Sequence, residues 1–253
     1  MSRFAGKKAV VTGGTHGMGL AIVSALLDGG AEVVLTGRDE RNLEEARSAL
    51  KGRAAHAVRS DAASMADIAA LAALVADRLG RVDHLFVNHG IAEFAELAEV
   101  TEESWDRHFA VNAKGAFFTV QHLAPLLNDG GSIVFTTVAN DVVFPGLSAY
   151  SASKEAMRAF AHVLAAELLP RRIRVNSVAP GYIKTPSMGV AGLTEEERRE
   201  FERQGEESTP LRRNGTVEEV AAAALFLAAD ATFTTNVELA VDGGFAQGLP
   251  AAH

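Results

Sequence analysis

Cysteine is absent from all 253 residues. That removes disulfides, thiolate metal sites and a catalytic thiol together, and it favours a reducing compartment, so the cytoplasm is the expected location. No apolar run approaches the roughly 18 to 20 residues that a membrane-spanning helix needs, and the opening "MSRFAGKKAVV" holds no cleavage-like site. The expectation is a soluble, unexported protein with no membrane partner. No Pro/Gly/Ser-rich linker, low-complexity tract or repeat divides the chain. A single domain over residues 1–253 follows, large enough for one substantial core. Positive charge is in deficit, with 24 Lys and Arg against 32 Asp and Glu for a formal −8. Phosphate neutralisation needs a basic surface, so no nucleic-acid partner is expected. The eight histidines show neither H-x-H nor H-x-x-x-H spacing, and no metal is expected.

What the chain has is alternation. Short β-branched or apolar runs ("KKAVVT", "AEVVLT", "AAHAV", "VDHLFV", "GSIVFTT", "IRVNSVAP", "VELAVDGG") are separated by helix-patterned segments near 17–29, 40–51, 64–79, 101–127, 148–169 and 216–229. Seven strands alternating with helices call for an α/β fold, a parallel sheet with helices on both faces. Several runs are apolar on consecutive positions, as strands covered on both faces should be. The one compositional break is 187–213, where "TEEERREFERQGEE" reads as a solvated helix. Between strands six and seven it is also a candidate lid, because ligands of open α/β sheets lie beyond the carboxyl ends of the strands.

The stretch "VTGGTHGMG" places Gly13, Gly17 and Gly19 between an apolar run and a helical segment. A strand, a glycine turn and a helix N-terminus present backbone N–H groups to an anion such as a pyrophosphate. Such a turn also serves simply to pack a helix on a sheet, so the motif alone leaves both readings open. Tyr150 and Lys154 stand four apart in "SAYSASKEAMRAF", which puts both on one helix face. An ammonium beside a phenol favours the phenolate, and the pair is expected to bring the tyrosine toward neutrality, where an acid–base group works best.

The T-G-x-x-x-G-x-G spacing, Asp61, "VNHG", "VNAKGAF", Tyr150-x-x-x-Lys154, "NSVAPGYIKTP" and "LAVDGG" occur in this order. Together they resemble the short-chain dehydrogenase/reductase family, in its 3-oxoacyl-carrier-protein-reductase-like branch, over nearly the whole chain. The resemblance implies a Rossmann-type doubly wound sheet and a homo-oligomer, tetramer or dimer, paired through the segments 101–127 and 148–169. It also implies reduction of a ketone to a secondary alcohol. In that scheme Tyr150 gives the proton, Thr137 stands at the substrate oxygen where the family has serine, Lys154 tunes Tyr150 and holds a ribose, and Asn112 serves a water relay to the lysine. Cofactor contacts carry over to Gly13, Thr15, His16, Gly17, Met18, Gly19, Arg38, Asp61, Ala62, Asn88, Gly90, Tyr150, Lys154, Pro180, Gly181, Ile183 and Thr185.

Strand two ends at Gly37, where NAD-preferring members have an acidic residue, and Arg38 and His16 offer basic groups for a 2′-phosphate. NADPH is therefore the expected cofactor. An NAD-linked alcohol or sugar dehydrogenase is the alternative, and a nucleotide-binding protein without turnover a third reading. Val87 and His89 replace the family's first asparagine and its alanine, and Asn236 takes a turn position usually held by glycine. The substrate is a small carbonyl or alcohol compound, with Phe144, Pro145, Leu147, Met188 and Val190 suggesting an apolar wall.

Overall fold

A computed structural model describes residues 3–139, 144–185, 190 and 192–249. Seven strands form one parallel sheet in the order β3-β2-β1-β4-β5-β6-β7. They are β1 (Lys8–Thr12), β2 (Glu32–Gly37), β3 (Ala55–Arg59), β4 (Val82–Val87), β5 (Leu127–Thr136), β6 (Arg174–Pro180) and β7 (Glu238–Val241). Successive side chains of a strand face opposite sides, and here both sides are core. In β1, Ala9 and Val11 join one apolar cluster with Ile22, Leu26 and Val220, while Val10 joins another with Leu71, Val120 and Met157. That division explains the unbroken apolar runs. It makes the fold a single Rossmann-type domain with helices on both faces.

The helices are α1 (Gly17–Asp28), α2 (Glu40–Ala49), α3 (Met65–Arg78), α4 (Glu102–His108), α5 (Ala116–Leu123), α6 (Ser148–Glu167), α7 (Glu195–Ser208) and α8 (Val217–Leu225). Starts are set by local chemistry. Ser64 caps α3 by accepting from Asp67 N–H, and Thr194 with Glu197 and Thr216 with Glu219 form capping boxes at α7 and α8. In α3 the buried Ile68, Leu71 and Val75 recur at helical spacing. Among the described residues no helix is long and apolar enough to cross a membrane.

The segment 101–127 is not the single helix expected. A π-helical turn, Phe109–Gly115, separates α4 from α5, and a short 3-10 turn at Ala124–Leu126 hands over to β5, which begins at Leu127. Pro125 lies in that last turn, where it cannot continue an α-helical ladder. The π turn carries Asn112 into the interior, where it is fully buried. At the other end of the chain Asn236 adopts φ 62°, in the left-handed region that asparagine tolerates best after glycine.

Candidate active site

All the strands are parallel, so their carboxyl ends share one edge, and the sheet order reverses between β1 and β4. That crevice is where such sheets take ligands. The chain from Gly13 to Gly19 leaves β1 there and enters α1. A Cβ on Gly13 would stand 2.8 Å from the His89 backbone, and one on Gly19 would overlap the Gly13 carbonyl oxygen. Gly13 and Gly17 also hold φ values of 63° and 54°. Thr15 and Met18 complete this turn. His16 precedes α1, its ring 3.2 Å from Thr15 Oγ1, and no side chain caps the first N–H groups of the helix. They stay available to an anion.

Asn88 fastens this turn to the neighbouring strands. Its amide donates to the Gly13 carbonyl at 3.0 Å, and its oxygen accepts from Thr136 Oγ1 at 3.0 Å. His89 turns its Nδ1 to Thr12 Oγ1 at 2.7 Å. Burial, helped by the Lys154 charge, pushes this imidazole down to about 4, so it is neutral at pH 7. Asp61 and Ala62 follow β3. The Asp61 carboxylate accepts from Ala63 N–H at 2.9 Å, and the Ala62 carbonyl lies directly against Gly115. Beyond β2, Arg38 is exposed and makes no ion pair among the described residues. Gly37 is packed on Thr15, whose Cγ2 would lie 2.5 Å from a Cβ there.

Pro180 ends β6, and Gly181 passes so close to Asp242 that a Cβ would stand 2.8 Å away. Ile183 pairs with Gly215, and Thr185 follows with its hydroxyl buried and without a hydrogen-bond partner among the described residues. An orphaned hydroxyl, a helix start that its N-cap side chain leaves uncapped and a turn whose Gly13 and Gly19 have no room for a Cβ fit a dinucleotide.

On α6, Tyr150 and Lys154 share one face as their spacing requires. Lys154 is 3% exposed, and its Nζ donates to the Thr136 carbonyl at 2.8 Å. Gly90 makes room for it: a Cβ there would stand 3.1 Å from Nζ. Burial pushes Lys154 down to about 8 and Tyr150 up to about 12. The tyrosine is therefore not drawn toward neutrality as the spacing argument expects. Desolvation is what raises it, while the Lys154 ammonium is directed at the Thr136 carbonyl.

Asn112 ties the pair to the loop after β4. It bonds both backbone groups of Ile91, at 2.8 and 2.9 Å, and donates to Ser153 Oγ at 2.9 Å; Ser153 in turn donates to the Tyr150 carbonyl at 2.7 Å. Thr137 lies just past β5 with the parity of Ile133 and Phe135, which share an apolar cluster with Met157 and Ala161 of α6. Its hydroxyl proton is already engaged within the protein, unlike what is expected of the family's serine. The hydroxyl oxygen lies 3.0 Å from the Val178 carbonyl and 2.6 Å from Glu238 Oε2. Glu238 was not legible as a site residue, since its contact with Thr137 spans 101 positions. Arg158, which holds Glu238, continues the stripe of Tyr150 and Lys154 by one more turn, a signal the spacing did offer.

Aromatic rings border the site. Tyr182 meets Phe144, Phe201 and Phe245 at 5.1 to 5.7 Å between centroids, and Phe94 meets Phe201 at 5.6 Å. Phe201 belongs to α7, which is also fastened by a Lys184–Glu202 ion pair. Leu147 and Val190 are buried, whereas Met188 and the start of the expected lid lie outside the described residues.

The family profile described as enoyl-(acyl carrier protein) reductase matches residues 13–246. The chain belongs to the short-chain dehydrogenase/reductase family. An uncharacterised oxidoreductase of Methylorubrum extorquens is 38% identical over 250 residues, covering 96% of this chain and 99% of the relative. A protein named 2-(S)-hydroxypropyl-CoM dehydrogenase 3 from Xanthobacter autotrophicus is 34% identical, covering 96% and 98%. The solved short-chain dehydrogenase/reductase of Serratia marcescens superposes with a TM-score of 0.87 at 32% identity, covering 96% of this chain and 99% of that one. As a short-chain dehydrogenase/reductase, the chain is an enzyme that uses a nicotinamide dinucleotide to interconvert CH–OH and C=O groups of small molecules.

Proposed function

We propose that this enzyme is an NADPH-dependent reductase that converts a ketone to a secondary alcohol, with Tyr150 as the proton donor. The carrying observation is that Tyr150 and Lys154 share one face of α6, the lysine buried with its Nζ donating to the Thr136 carbonyl at the end of β5 and the tyrosine only half-buried. With its pKa raised by burial, the phenol keeps its proton at neutral pH, the form a donor to a carbonyl oxygen must have, and bringing that pKa down toward the operating pH falls to the groups that bind beside it. When bound, the cofactor supplies hydride to the carbonyl carbon. Tyr150 gives its proton to the carbonyl oxygen, Thr137 lies at that oxygen, and Lys154 holds the ribose. Asn112 fixes the loop that carries Asn88 and Gly90. The remaining cofactor contacts are those of the Gly13–Gly19 turn, Asp61, Ala62 and the chain from Pro180 to Thr185.

The cofactor preference rests on Gly37 and Arg38. Thr15 leaves no space for a side chain at position 37, which disfavours the acidic ribose-binding residue of NAD enzymes. Arg38 is free to pair with a 2′-phosphate, and a charge-assisted bond contributes about 1.5–3 kcal/mol. NADPH should then be favoured over NADH on the order of 10- to 150-fold. Measuring kcat/KM with both cofactors over a panel of aliphatic and aryl ketones tests this. Equal or better efficiency with NADH would transfer the case to an NAD-linked alcohol dehydrogenase, a reading to which the Xanthobacter relative's name lends support. We further propose that the described part of 187–213, which includes α7, forms a lid over an apolar substrate, and that the protein works as a cytoplasmic homotetramer.

A further inference from the structure

Thr137 has one hydroxyl proton and two acceptors on its protein side. Glu238 Oε2 is 2.6 Å away and the Val178 carbonyl 3.0 Å, and that carbonyl already receives the Thr137 N–H at 2.9 Å. Glu238 opens β7 with its side chain 15% exposed, and its other oxygen lies 3.2 Å from Arg158 Nε. Arg158 sits one helical turn beyond Lys154 and two beyond Tyr150. The stripe that carries the acid–base pair therefore ends on the guanidinium that holds the carboxylate behind Thr137. A carboxylate paired with a guanidinium only accepts. The Thr137 proton accordingly points toward β7, and its remaining lone pairs face away from it.

We infer that Glu238 is a positioning residue for the reacting oxygen: by taking the proton of Thr137, it makes that hydroxyl an acceptor toward the substrate, so the site prefers an oxygen that carries its own proton. The inference rests on the reading that places Thr137 at the substrate oxygen. A ketone oxygen can only accept, and it must rely on Tyr150 as its hydroxyl donor. An alcohol can donate to Thr137, so the reduced product is held more firmly than the ketone. Threonine suits this role better than serine. Its β-branch restricts χ1, which keeps the hydroxyl from swinging off Glu238.

The test uses complexes that cannot turn over: the ketone with oxidised cofactor and the alcohol with reduced cofactor. The pair used is the one the wild-type enzyme turns over fastest in the ketone panel. Dissociation constants are measured for wild type, Thr137→Val, Thr137→Ser and Glu238→Gln, with the melting temperature of each. Thr137→Val should weaken the alcohol about fivefold, the loss of one net hydrogen bond, and leave the ketone within about twofold. Glu238→Gln, which keeps the shape and loses the charge, should shift discrimination in the same direction, and Thr137→Ser should retain it. A ketone weakened while the alcohol is unaffected would make Thr137 a donor and overturn the inference. So would parallel losses for both ligands, which are what a merely structural Glu238 would give. If the wild type turns over no pair, the parent reading falls and takes this one with it. An active enzyme with unchanged discrimination removes only the role of Glu238.

Discussion

Gly37 is the position where one added carbon has the clearest consequence. A Cβ there would stand 2.5 Å from Thr15 Cγ2 and 2.9 Å from Thr15 Oγ1, so Gly37→Asp forces the glycine turn to shift. We predict that this single change weakens both NADPH and NADH at least tenfold, and that adding Thr15→Ala restores NADH binding. Titration of cofactor fluorescence measures both; a single variant that simply gains NADH would contradict the packing argument. Lys154 sets a pH dependence. Burial lowers it to about 8, so its ammonium is present below that pH and lost above it. Reductive kcat/KM should fall as pH rises through about 8, which a pH–rate profile checks. The stability term has the opposite sense: between about 8 and the ordinary lysine value the unfolded chain binds more protons, so this group favours folding more as pH rises. The Tyr150 and Lys154 pair was legible because helical spacing alone puts the two on one face. The direction of the Tyr150 shift was not, because it depends on burial and on where the ammonium points.

The π turn at Phe109–Gly115 is the element that builds the site's floor. It buries Asn112, whose amide makes two bonds to Ile91 and one to Ser153. Asn112→Ala leaves those partners unpaired, and at about 1 kcal/mol for each buried bond the loss of folding free energy should be about 3 kcal/mol. Urea denaturation of the pure protein reads it. A loss under about 1 kcal/mol would mean that water replaces the amide. This element could not be read from 101–127, because the apolar positions keep a helical recurrence while one extra residue is taken up in the turn. The strands were easier, since β1, β2 and β5 carry β-branched side chains on consecutive positions and the others are short valine-bearing runs set between helical segments.

At the scale of the whole molecule, alternation of strand and helix dictated the sheet, and the strand ends collected residues from six separate motifs into one crevice. The outer surface carries a different message. Trp105 is 42% exposed while stacked on Phe109 at 4.9 Å, and Val163 of α6 is 56% exposed. These lie on α4, the π turn and α6, the segments expected to pair between subunits. Light scattering at micromolar concentration should give a tetramer, or a dimer; a monomer would remove that proposal.

The central claim is that Tyr150 delivers the proton for carbonyl reduction, and the most direct measurement is turnover by Tyr150→Phe alongside its affinity for NADPH. Positioned acid–base groups contribute roughly 10²–10⁴ in rate. Since the change removes one hydroxyl from a cofactor site built mainly of backbone, the account predicts a loss of about a hundredfold or more in kcat with NADPH affinity within a few fold of wild type. A loss below about tenfold, with affinity intact, would show that the proton comes from elsewhere.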